Sequence, residues 1–87
     1  MPAPVKLTLE RRIAPRRNTV LPATIVFNGG RTVLSCIIRN VSETGAKLQV
    51  SSVAAIPVSF DLLVDGHRPH ACRVVWRSLK EIGVAYQ

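Results

Sequence analysis

The sequence predicts an all-β domain, a small antiparallel barrel of six strands. Three observations predict it: short runs in which apolar and polar residues alternate, Gly- and Asn-containing turn signals between them at near-regular spacing, and no segment with sustained helical periodicity. The same pattern would also build a sandwich, but 87 residues suit a barrel better. A chain of this length makes one domain, with a core large enough to fold and little apolar area left for a second function. One binding site is the economical expectation.

Residues 1–9 alternate loosely, with Val5, Leu7 and Leu9 set against Lys6, Thr8 and Glu10, and fit a short edge strand or, preferably, a disordered leader. Pro15 disfavours helix at Ala14, so the arginine-rich stretch that follows is expected to be extended. Residues 1–19 are therefore read as a flexible basic arm and residues 20–87 as the barrel. From Val20 the pattern is β: Ala23, Ile25 and Phe27 alternate with Thr24 and Val26, and Asn28-Gly29-Gly30 signals a hairpin. A second strand is expected from about Thr32 to Asn40, where the double apolar step Ile37-Ile38 suggests a bulge or burial on both faces. Asn40 to Gly45 is a turn by composition, with Gly45 expected to supply positive φ. In the third strand Ala46, Leu48 and Val50 face inward and Lys47 and Gln49 outward. A loop from Ser51 to Pro57 leads to a fourth strand with Val58, Phe60, Leu62 and Val64 inward, and Asp65-Gly66 is read as a tight turn into the fifth. There Cys72, Val74 and Trp76 are expected inside and Arg73 and Arg77 outside. Ile82, Val84 and Tyr86 complete the sixth strand, with Gly83 and Ala85 small enough to admit a close neighbour.

Twelve Lys and Arg against five Asp and Glu give a net charge of +7, which favours anionic partners. Five positive groups (Lys6, Arg11, Arg12, Arg16, Arg17) and one negative (Glu10) fall within residues 1–17, so over half of the excess belongs to the first fifth of the chain. Cys36 and Cys72 lie in apolar runs and are read as small core hydrophobes. Pro2, Pro4 and the early charges leave no apolar signal-peptide region, and no run approaches the roughly 18 apolar residues that span a bilayer, so a cytoplasmic protein is expected.

Two stretches carry specific chemistry. Glu10 to Arg17 packs four guanidinium groups into a segment too polar to fold alone, and Asn40 to Gly45 lies between two strands. Arg-Arg-x-x-x-Arg at Arg11, Arg12 and Arg16, followed by Asn-x-Ser-x-x-Gly at Asn40, Ser42 and Gly45, resembles the two-part signature of PilZ domains, bacterial receptors for cyclic di-GMP. The resemblance extends over nearly the whole chain, because the later strand pattern fits a PilZ-type β-barrel. It implies cyclic di-GMP as ligand, with Arg12 and Arg16 gripping phosphate and guanine edges and Arg11 adding phosphate or stacking contacts. Asn40 and Ser42 would bond a guanine or position the arginines. Arginine suits these tasks because its planar fork bonds phosphate or guanine bidentately and its face stacks on a base. Asn40 stands where the acidic form of the motif has a carboxylate, which removes a charge-assisted partner for an arginine. Many PilZ domains carry a helix after the last strand, and none is expected in this chain.

The other constellations are bland. His67, His70 and Cys72 offer only three local ligands, so no metal is expected, and no cofactor either. Ser42 has no visible base with an orienting acid, which argues against an enzyme. A signalling adaptor with a downstream protein partner is the favoured function. The alternatives are a PilZ interaction module that binds no nucleotide, or a small-barrel binder of single-stranded nucleic acid. The last is disfavoured because Phe27, Phe60, Trp76 and Tyr86 all fall in the inward register, leaving no ring to stack on. Stable membrane association is not expected, since the arm lacks an apolar face.

Overall fold

A computed structural model of the chain describes residues 17–87. Six strands build them: β1 (Arg17–Phe27), β2 (Thr32–Val41), β3 (Gly45–Val50), β4 (Ser59–Leu63), β5 (His70–Arg77) and β6 (Glu81–Tyr86), with one 3-10 turn at Val53–Ala55 between β3 and β4. All neighbours are antiparallel, and the sheet closes in the order β1-β2-β3-β6-β5-β4, β4 returning to β1 through Thr24 to Val26. The predicted disordered leader, Arg11, Arg12 and Arg16 lie outside the described residues. Among the described residues no helix is long and apolar enough to cross a membrane.

Alternation places the core. Ala23, Ile25, Cys36, Ile38, Ala46, Leu48, Val50, Phe60, Leu62, Cys72, Ile82 and Val84 are buried, and Ile56 joins them from just after the 3-10 turn. Removing these side chains from water is the main force holding the barrel closed. Both cysteines are free and buried. Desolvation raises each thiol from 9.0 to about 11, with smaller upward contributions from Cys72 on Cys36 and from Asp61 on Cys72.

The first hairpin turns as the sequence indicates, with positive φ at Asn28, Gly29 and Gly30 and the Gly30 N–H donating to the Phe27 carbonyl at 3.2 Å. Elsewhere several expectations need correction. β1 reaches back beyond Val20, because Arg17 and Asn18 already pair with Val41 and Asn40. Val58 is exposed, since β4 begins only at Ser59, although the Val58 carbonyl accepts the Val74 N–H at 2.8 Å. Asp65-Gly66 does form a tight turn, with the His67 N–H donating to the Val64 carbonyl at 3.0 Å and Gly66 at positive φ, but β5 follows it only at His70. His70, on the same side of β5 as buried Cys72 and opposite Leu62, is exposed at the strand's start, with its ring 5.1 Å from that of Tyr86.

Two bulges matter most. Between Ile38 and Asn40 the pairing with β3 skips Arg39, and between Val74 and Trp76 the pairing with β6 skips Val75. One extra residue reverses the side-chain parity of everything after it. Val41 therefore packs on the core and Asn40 shares the outward row of its partner Lys47. By the same slip Trp76 pairs with Gly83 and faces outward, 44% exposed, which corrects its predicted inward place. Arg77, opposite buried Ile82, is exposed as expected, and its Nη1 donates to the Val53 carbonyl at 2.9 Å.

Candidate functional site

The Asn40–Gly45 stretch closes the β2–β3 hairpin, and its own side chains shape the turn. The Ser42 N–H donates to the Gly45 carbonyl at 2.9 Å, and the Thr44 N–H donates to the Ser42 hydroxyl at 3.3 Å. That hydroxyl also lies 3.1 Å from the Thr44 hydroxyl. Ser42 is thus a local organiser of backbone, as short hydroxyl side chains commonly are in turns. On the strand side, the Asn40 side-chain Nδ2 donates to Asn18 Oδ1 at 3.0 Å, which ties the motif to β1. Arg17 pairs with Val41 one step further on, and Arg17, Val41, Ser42 and Glu43 line a small hollow. Arg17 therefore lies beside Ser42 and Glu43. Asn40, Ser42 and Gly45 come together at this hairpin; Arg11, Arg12 and Arg16 are outside the described residues.

Gly45 is needed for a reason other than the expected one. Its φ is not in the positive region, which among glycines holds only Gly29, Gly30 and Gly66. Instead a Cβ at Gly45 would overlap the Val84 carbonyl oxygen and lie 3.1 Å from the Val84 carbonyl carbon. The missing side chain lets β3 and β6 approach; the turn itself does not demand it.

The site extends sideways across the barrel. Register links Asn18 on β1, Asn40 on β2, Lys47 on β3, Gly83 on β6 and Trp76 on β5 into one outward row. The indole of Trp76 lies over Gly83, where any Cβ would run into the ring. Asn40, Lys47, Val75, Trp76 and Gly83 then line a hollow of about 300 Å³. A second hollow, of about 440 Å³, lies on the other side of Lys47 and is lined by Asn18, Thr19, Val20, Arg39 and Glu81. Lys47 Nζ is 3.9 Å from Glu81 Oε2, a loose pair with both side chains partly exposed.

Sequence reasoning missed Trp76, Lys47 and Gly83 as site residues. The run Val74-Val75-Trp76 breaks alternation just as Ile37-Ile38 does, and was the available signal for a second bulge.

The family comparison fits this geometry: the sequence matches the PilZ domain over residues 10–87. The chain belongs to the PilZ domain family. PilZ domains are binding and receptor modules of the cyclic di-GMP type. No curated protein matches the chain.

Proposed function

We propose that this PilZ domain binds cyclic di-GMP and acts in the bacterial cytoplasm as a second-messenger receptor and adaptor, with no enzymatic step of its own. The observation that carries the reading is the outward row running from motif residue Asn40 through Lys47 and Gly83 to Trp76. It sets an amide, a cation and a flat ring along one hollow, the three chemistries that a guanine nucleotide calls for. The hollow of about 300 Å³ is at the lower end of ligand sites and suits one base. The remaining base and phosphates must then be held from outside it. Arg11, Arg12 and Arg16 take that role, with bidentate bonds to phosphate oxygens or guanine edges. Asn40 meets the ligand, Ser42 keeps the turn in shape, and Gly45 lets the strands close beneath it. A bound ligand that joins arm to barrel changes the surface offered to a downstream protein.

Calorimetry with the purified protein tests the proposal. Micromolar or tighter binding of cyclic di-GMP, unmatched by GTP or GMP, is the expected result, and heats equal to dilution into buffer would remove it. Trp76 also gives some support to a single-stranded nucleic-acid binder, because an exposed ring is what such proteins stack bases on. Phe60 is buried and Phe27 and Tyr86 pack against the core, so one platform serves where a strand binder wants several. Oligonucleotide gel shifts that survive moderate salt would favour that second reading.

A further inference from the structure

We infer that Lys47 is a phosphate ligand of the bound dinucleotide and is held by Glu81 until the ligand takes its place; this rests on the cyclic di-GMP reading above. Lys47 lies outside both sequence motifs, and its position alone singles it out. It sits on the outer face of β3 between Asn40 of β2 and Gly83 of β6, and it lines both hollows. With a base against Trp76 and the motif amide at Asn40, Lys47 stands between the two seats. Arg39, exposed at its bulge, rims the second hollow beyond it. An anionic linker that joins the base seat to the motif therefore meets Lys47 first.

The Glu81 contact has the features of a resting partner. At 3.9 Å it is a single long contact between side chains 40% and 34% exposed, and pairs of this kind are held weakly. The acid is the fixed member. The Glu81 N–H donates to the Ser78 hydroxyl at 3.1 Å, and the Ser78 N–H donates to the Glu81 carbonyl at 2.8 Å, so the β5–β6 turn pins its backbone. Lysine is the movable member, a point charge on a flexible four-carbon stem that can swing from a carboxylate to a phosphate.

The test is cyclic di-GMP calorimetry on wild type, Lys47→Gln, Glu81→Gln, the double variant and Lys80→Gln, at two salt concentrations. Lys80 is exposed in the β5–β6 turn and removes one positive charge away from the row. Lys47→Gln should bind roughly tenfold more weakly, as for a lost charge-assisted bond, and lose affinity less steeply with salt. Glu81→Gln should tighten binding by roughly two- to fivefold, the range of an exposed ion pair, and the double variant should bind like Lys47→Gln. Lys80→Gln should stay close to wild type. If Lys47→Gln binds like wild type, or loses no more than Lys80→Gln, the role of Lys47 is overturned and the cyclic di-GMP reading stands. Weaker binding by Glu81→Gln would overturn the exchange. A wild type that ignores cyclic di-GMP overturns both.

Discussion

Gly45 and Gly83 are both glycines against which another part of the chain packs closely, yet alanine should damage different properties at each. At Gly45 the obstacle is backbone: a Cβ would overlap the Val84 carbonyl oxygen and lie 3.3 Å from the Ala85 Cα. Relief requires β3 and β6 to move apart, and with them the adjoining bond from the Tyr86 N–H to the Thr44 carbonyl, now 2.9 Å. Overpacking of ~1–3 kcal/mol plus weakened ladder bonds of ~1 kcal/mol each puts Gly45→Ala near ~3 kcal/mol. For a domain of this size the melting temperature should fall by roughly 12–24 °C. At Gly83 the obstacle is the Trp76 indole, whose Nε1 and Cε2 a Cβ would overlap, and a ring already 44% exposed can turn aside. Gly83→Ala should cost about 1 kcal/mol of stability. Its effect on binding should be larger, because losing a stacking platform is worth ~1–3 kcal/mol, or roughly five- to 150-fold in affinity. The chain has one tryptophan, so its emission reports the ring directly. Thermal melts and fluorescence titration with cyclic di-GMP read both effects. The reasoning is refuted if Gly83→Ala melts as early as Gly45→Ala, or if it keeps wild-type emission and affinity.

Arg16→Lys keeps the charge but loses the planar fork, so cyclic di-GMP affinity should fall roughly ten- to a hundredfold; a purely electrostatic role would let lysine serve as well as arginine. Cys36 and Cys72, raised to about 11 by burial, should resist alkylation in the native protein at pH 8, and fast labelling there would show that the core opens. Because the unfolded chain ionises these thiols first, stability should fall as pH rises from about 9 toward 11. The Cys36→Ala/Cys72→Ala protein should lose less over the same window, and parallel losses in urea melts would assign the alkaline effect to other groups.

What the sequence disclosed and what it hid follow from how far apart the interacting residues lie along the chain. Alternation at Ala46-Leu48-Val50 and at Phe60-Leu62 is local, and those side chains are buried as expected. The Asn28-Gly29-Gly30 turn is local as well, and its positive φ values are the ones that such residues permit. Trp76 went astray because strict alternation was carried through Val74-Val75-Trp76, and a bulge shows itself only through the partner strand's register. Gly45 was assigned the wrong reason for the same cause: its constraint comes from Val84, supplied by a strand near the other end of the sequence. A two-part motif names residues that are near each other in the chain, whereas Lys47, Gly83 and Trp76 reach Asn40 only through pairing across β3, β6 and β5. The bulges at Arg39 and Val75 then act as one device. Each inserts a residue that brings the next side chain outward, Asn40 in one case and Trp76 in the other, and Gly83 leaves the space between them that the indole covers. Deleting Val75 removes only the extra residue, so Val74 should still oppose Val84 and Trp76 should still oppose Gly83 and face outward, with near wild-type tryptophan emission; emission of a buried ring would refute the bulge as the reason for the outward indole.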